Sequence, residues 1–267
     1  MRYIRLYFVC LKRAIVSRLE YKMDTFIGIL SFFLTNAASL LSIYFILQNI
    51  PSLNQWNMWQ LGFLYGFTMI PVAIDHFFSD DLWCVAYWKV RTGELDKFYL
   101  RPVPVLFQVI AETFQLEAFG ELLVGIIMLI ICATKGRLGI QWNFGIVFLL
   151  IVAAIFGAIL ITSLKIMIAA LAFYMKRSGP LLQIIYNFIS YTKYPLSIYP
   201  RVIRGLLTFV FPFAVIISLP VETFLGLGNA MNPYALSAII VGVSLAVLGL
   251  AILFWSKSAK RYQSSGS

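Results

Sequence analysis

Apolar stretches as long as a lipid bilayer is thick recur along this chain, and they limit its fold more than any other feature. Residues 26–47, 61–78, 108–133, 144–168 and 233–255 each form such a stretch, and another begins at Pro180, over 180–193. About 20 residues of helix match a hydrocarbon core ~30 Å thick. In lipid every backbone N–H and C=O has to be bonded within the fold, so these segments are helices. A membrane β-barrel would instead show alternating segments of ~10 residues. Charged residues make up 12% of the chain and the mean hydropathy is +0.88, whereas a soluble domain carries about 25% charged residues. The chain therefore reads as an all-α integral membrane protein: one transmembrane domain over residues 1–263, with 264–267 as a short tail.

The segments between the spans have characters of their own. In residues 1–24 the apolar Ile4, Tyr7, Phe8, Leu11, Ile15 and Leu19 recur at helical spacing, with Arg2, Arg5, Lys12, Arg13 and Arg18 between them. That pattern suits a basic amphipathic helix lying in the membrane interface; a helix packed on the rest of the protein is the plainer alternative. No small-residue cleavage site follows a short apolar core, so no cleaved leader is expected. Pro51, Trp56 and Trp59 fall in a loop suited to a headgroup belt. Gly62 and Gly66 permit close helix contact. Prolines 195, 200, 212 and 220 cut residues 195–228 into pieces too short to span, as expected of a re-entrant helical hairpin.

Basic residues decide how these pieces are threaded. With six spans and both termini on one side, 16 of the 21 Lys and Arg fall on that side and 5 on the other. Basic residues are retained in the cytoplasm, so both ends are expected there, with the hairpin between spans five and six on the outer face. This placement also explains the net charge of +10 without calling on nucleic acid.

A polar island, Val90–Pro104 (VRTGELDKFYLRPVP), interrupts the apolar sequence. It falls on the cytoplasmic side and is expected to meet water or a partner protein. Little else suggests chemistry. The chain has no GxxxxGK[ST] to hold a nucleotide, no GxSxG and no HExxH. Cys10, Cys84 and Cys132 form no CxxC, and the single His76, among Asp75, Asp80 and Asp81, reads as part of an interfacial polar cluster rather than a metal site. Ionisable groups within a membrane are suspects for function by default, which singles out Glu117 and Glu121. Glu112 and Lys165 fall at similar depth if residues 102–133 form one helix, so they are expected to pair; Lys165 reaching to the headgroups alone stays open.

The string Arg91-Thr-Gly-Glu-Leu-Asp96, followed by Leu100-Arg-Pro102-Val, resembles a signature that follows the second span in a group of bacterial ABC-type export permeases. Tyr194-Pro195, Ile198-Tyr199-Pro200, Pro212 and Pro220 resemble that group's second signature. Six spans, an interfacial N-terminal helix and an outer hairpin are similar to the type V exporter architecture. The resemblance implies a permease subunit in a bacterial cytoplasmic membrane that performs no catalysis itself. It would pair with a second, related permease and with two copies of a separate ATPase, which would carry the ATP and Mg. Arg91, Gly93, Glu94, Asp96, Lys97, Arg101 and Pro102 would couple it to that ATPase. The aromatic run Trp83, Tyr87, Trp88 has no counterpart in the signature. Outside the resemblance, an ion-coupled secondary transporter or channel is the alternative that the residues leave standing.

Overall fold

The computed structural model describes residues 2–49, 56–136, 138, 143–175, 177–227 and 231–264. Pro51 and most of the 264–267 tail, placed in a loop and at the terminus above, lie outside them. The described residues are helical and contain no strand. Five helices are long and apolar enough to cross a membrane: α2 (Lys22–Asn49), α3 (Met58–Ser79), α7 (Phe119–Lys135, entered through a 3₁₀ turn at Leu116–Ala118), α8 (Phe144–Met175) and α12 (Pro233–Ala259). A sixth crossing is completed if the helical pair 201–210 and 214–224, bent by 85°, counts as one.

Contacts between helix ends fix their directions. The start of α3 meets the end of α7: a Cβ on Gly62 would lie 2.7 Å from Cys132 Sγ, and one on Gly136 would lie 2.8 Å from Trp59 Cβ. α8 runs parallel to α12, with Tyr234 against Gly145 near one end and Phe173 against Trp255 (5.2 Å between ring centroids) near the other. Helix α1 (Arg2–Glu20) and the chain's last described residues therefore share one end of the bundle. That end carries most of the basic residues, and we call it the basic end.

Two of the expected helices are built differently. The stretch 108–133 is not one helix. α6 (Val105–Glu112) stops where Thr113 turns extended (φ −125°, ψ 145°), and the spanning part starts afresh at Leu116. The break is held from outside: Phe114 stacks on Phe77 (5.3 Å), and Gln115 N donates to Phe77 O at 3.2 Å. Residues 180–193 do not cross alone either. α9 (Gly179–Tyr191) has 13 residues, about 20 Å at 1.5 Å each, and Pro195 ends it. It climbs beside α3 from Tyr87, which packs on Gly179, past His76, which stacks on Tyr186, to Thr68, whose hydroxyl donates to Thr192 O at 3.4 Å. The short helix α10 (Arg201–Gly205) follows. Residues 214–224, which include α11 (Leu219–Phe224), then resume the climb: Ile216 packs by Gly157 and Pro71, and Phe224 stacks on Phe63 at 4.7 Å.

Helices α3 and α7 approach each other closely. A Cβ on Gly66 would meet Met128 Cβ at 2.9 Å and Gly125 O at 3.0 Å, whereas one on Gly249 of α12 would meet nothing within 4 Å. Overpacking a close contact costs about 1–3 kcal/mol. Gly66→Leu should therefore lower the thermal midpoint of the detergent-solubilised protein, followed by loss of its monodisperse peak on size-exclusion chromatography, while Gly249→Leu leaves that midpoint in place.

Candidate functional site

Titratable side chains gather at the basic end in two layers. The deeper one centres on Lys165, which is fully buried (0% exposed). Its Nζ lies 2.8 Å from Asp75 Oδ2 and 3.7 Å from Asp80 Oδ1. The second Asp75 oxygen accepts from Thr162 Oγ1 at 2.6 Å and Ser79 Oγ at 2.5 Å. A buried charge is tolerable only when it is paired and hydrogen-bonded, and here Asp75 and Asp80 supply the carboxylates and α8 the Thr162 hydroxyl. Beside it, His76 Nδ1 shares a proton with Glu121 Oε2 over 2.7 Å and its Nε2 lies 3.2 Å from Tyr186 OH. Lys165 also sits 5.6 Å from the centre of the Tyr186 ring. Four helices, α3, α7, α8 and α9, thus meet in one polar knot.

The shallower layer is the polar island itself. After α3 the chain passes through α4 (Asp81–Cys84) and a π turn (Val85–Lys89) to the turn at Gly93, whose φ of 75° is left-handed and suits glycine. The one-turn helix α5 (Asp96–Tyr99) follows. Val90, Leu95 and Phe98 point inward to Leu82, Val109, Ala169, Phe173 and Trp255; burying Leu95 and Phe98 is worth about 1.5–3 kcal/mol each. Lys89 Nζ bonds both Asp81 oxygens at 2.7 Å and Glu112 at 3.0 Å, and Lys97 Nζ bonds the other Glu112 oxygen at 2.6 Å. Gln108 donates to Phe98 O and Val103 O at 2.9 and 2.7 Å. Asp96 accepts from Tyr262 OH at 2.7 Å and Ser264 Oγ at 2.6 Å, and Tyr99 stacks on Tyr262 at 5.0 Å. The island is therefore clamped to α6 on one side and to the C-terminal segment on the other.

These partners shift the carboxyls. Burial alone would raise Glu112, but the bonds from Lys97 and Lys89 outweigh it and hold it below its usual value. Hydrogen bonds from Ser264 and Tyr262 depress Asp96. A depressed carboxyl stabilises the fold fully above its ordinary value, 3.8 for Asp96, and that contribution fades as pH falls through the lower folded-state value. Both clamps are thus fully formed at neutral pH.

Set against the sequence reading, the geometry redistributes roles. The expected Glu112–Lys165 pair is not formed. The break at Thr113 takes Glu112 out of the spanning helix, so it binds Lys89 and Lys97, while Lys165 takes Asp75. Glu117 accepts from Arg18 of α1 at 3.0 Å, and Glu121 is held by His76. Of the island residues, Asp96 and Lys97 have partners inside the fold, whereas Arg91, Glu94, Arg101 and Pro102 face outward, as does Leu100 at 87% exposure. Among the described residues Glu94 accepts from the nearby Thr92 hydroxyl, at 3.0 Å. Trp83 and Tyr87 stack on each other at 4.7 Å, and Trp83 packs edge-on against Tyr186 of α9. α1 lies on α6 through Tyr3 and Tyr7 on Phe107 (5.6 and 6.3 Å), with Ile4, Phe8, Val16 and Leu19 left outward. Among the described residues no group of three metal-ligating side chains gathers.

The family profile described as ABC-2 family transporter protein matches residues 15–266. No curated protein matches the chain.

Removing one partner of a buried ion pair costs about 3–5 kcal/mol, because the other charge is left bare. Lys165→Met should therefore strongly lower the thermal midpoint in detergent, and Lys165→Met with Asp75→Leu should recover most of that loss. A double mutant no more stable than the single one would remove the pair from its central place.

Proposed function

The chain belongs to the ABC-2 transporter family, and from that premise we propose that it is the membrane-spanning, non-catalytic subunit of an ATP-driven exporter. In this reading two copies of a separate ABC ATPase bind ATP and Mg, and a second, related permease completes the path. The basic end faces the cytoplasm of a bacterial cell, as the bias of Lys and Arg toward it argues.

The observation that carries this reading is the construction of the island. A segment meant only to connect two helices has no reason to be rigid on its inner side and to present a leucine among charges on its outer side. Here the inner side is anchored by Leu95, Phe98 and the Lys89–Glu112–Lys97 bridges, while Arg91, Glu94, Leu100, Arg101 and Pro102 are presented outward. Such a knob transmits force, because a load on it passes straight into α3, α6, α8 and α12. Its outer residues would contact the ATPase. Gly93 shapes the turn, and Asp96 and Lys97 brace the knob from behind. An exposed leucine among charges is the pattern of an anchor with a polar rim.

The test is the permease co-purified with its ATPase and reconstituted in lipid nanodiscs. Leu100→Asp and Glu94→Arg should each cut substrate-stimulated ATP turnover or ATPase retention about tenfold or more, with the permease's own thermal midpoint unchanged. Wild-type coupling in both variants would remove the island from the contact. Transport that proceeds with no ATPase present would favour the ion-coupled alternative.

A further inference from the structure

Among the described residues three lysines lie wholly or partly inside the body of the bundle, and two of them are paired with carboxylates. Lys89 is held by Asp81 and Glu112, and Lys165 by Asp75 and Asp80. Lys193 differs. Its ammonium lies 4.9 Å over the Tyr65 ring and has no carboxylate within ion-pair distance among the described residues. Its depth follows from its neighbour: Thr192 O accepts from Thr68, and Thr68 is the eleventh residue of the 22-residue α3. Lys193 therefore stands level with the middle of α3, where a charge with no carboxylate in contact is costly and marks function.

The surroundings point the same way. Eight and eleven residues on, Arg201 and Arg204 are exposed on α10; the Arg204 guanidinium donates to the carbonyls of Ser197 and Tyr199, at 3.2 and 3.4 Å, and acts electrostatically on the Glu222 carboxyl. Val202 and Phe209 beside them are 75% and 85% exposed. These cations sit away from the basic end, so retention of positive charge on the cytoplasmic side does not account for them. The acid that acts on Lys193 across the seam, Glu121, lies beyond ion-pair distance and is bonded to His76. The seam runs over the face of α3 between α2 and α9: Tyr65 OH donates to Asn36 O at 3.2 Å, Phe32 meets His76 at 6.3 Å, and Tyr186 closes its lower end. A half-buried cation is thus held on a tyrosine face with no carboxylate in ion-pair contact among the described residues.

We propose that Lys193 is the recognition site for an anionic group on the exported molecule, and that the substrate class is an amphiphile bearing a phosphate, sulfate or carboxylate on an apolar body. This rests on the exporter reading for the words "exported molecule"; the anion site itself does not. The ammonium supplies the counter-charge in a medium of low dielectric, where pairing is strong. The exposed Val202 and Phe209 supply apolar contact, and Arg201 and Arg204 draw the anion toward the site.

The experiment measures binding to the purified chain in nanodiscs of zwitterionic lipid, using radiolabelled dodecyl phosphate as the probe. Competitors are dodecyltrimethylammonium, dodecyl maltoside and inorganic phosphate. Dodecyl phosphate should bind saturably and resist competition by the cationic and neutral chains. Lys193→Gln should weaken it about tenfold, and Lys193→Arg, which keeps the charge, should restore it. Competition by inorganic phosphate as strong as by unlabelled probe would show that a free anion is the ligand and overturn the amphiphile. Equal binding by wild type and Lys193→Gln, at matched monodispersity, would overturn the site. ATP turnover of the complex with its ATPase is measured in parallel. Charge-selective binding without coupled turnover would retain the anion site and sink the exporter reading, while coupled turnover with no charge selectivity would do the reverse.

Discussion

The buried pair between Lys165 of α8 and Asp75 of α3 holds the basic end of this bundle together. An unpaired charge in that position would not be tolerated, so α3 and α8 have to meet at this depth and in this register. The other members follow from it. Asp75 still has lone pairs to satisfy, which brings in Thr162 and Ser79. Lys165 has a free face, which Tyr186 of α9 covers. Tyr186 reaches His76, and His76 reaches Glu121 of α7. Burial forbids bare polar groups one after another until four helices are joined. Apolar packing in lipid cannot specify register in this way, because a leucine gains little by leaving lipid for protein.

The same pair ties the interior to the surface knob. Asp75, Asp80 and Asp81 lie within seven residues of α3 and α4. The first two hold Lys165 from inside the bundle and the last holds Lys89, which shares Glu112 with Lys97 of the island. Two short steps of chain therefore separate a charge buried in the membrane domain from the outward face at Glu94 and Leu100. A push on the knob reaches the spans through ion pairs and through Leu95 and Phe98, with no soft linker between.

The helical class and most spans were legible in the sequence because both depend on one bulk property, apolar length against bilayer thickness. The failures came where a few side chains override that property. Residues 108–133 are apolar enough to read as one helix, yet Phe114 finds a better position stacked on Phe77 and Phe78 than on a continuing helix. That local choice breaks the helix at Thr113. It then falsifies the depth estimate that matched Glu112 with Lys165, since the estimate assumed 1.5 Å per residue across the break. Asp75 was visible as a polar residue near the end of a span, but it was assigned to the interface; only the parallel course of α3 and α8 shows that it faces Lys165. Likewise α9 was readable as a helix, while its end at half depth depends on Pro195 together with the contact between Thr192 and Thr68.

The island shows what sequence resemblance does and does not separate. Its residues were singled out as one set, and in three dimensions they divide by direction. Asp96 and Lys97 are spent on Tyr262, Ser264 and Glu112; Arg91, Glu94 and Arg101 are not bound into the fold in this way. A short helix explains the division, since successive side chains along one turn point to different sides. The residues that shape and brace such a knob are under the same sequence constraint as those that touch the partner, so a linear motif merges them. Direction supplies the missing distinction, and it brings in Leu100, which lies within the signature but outside the set of residues taken to couple to the ATPase.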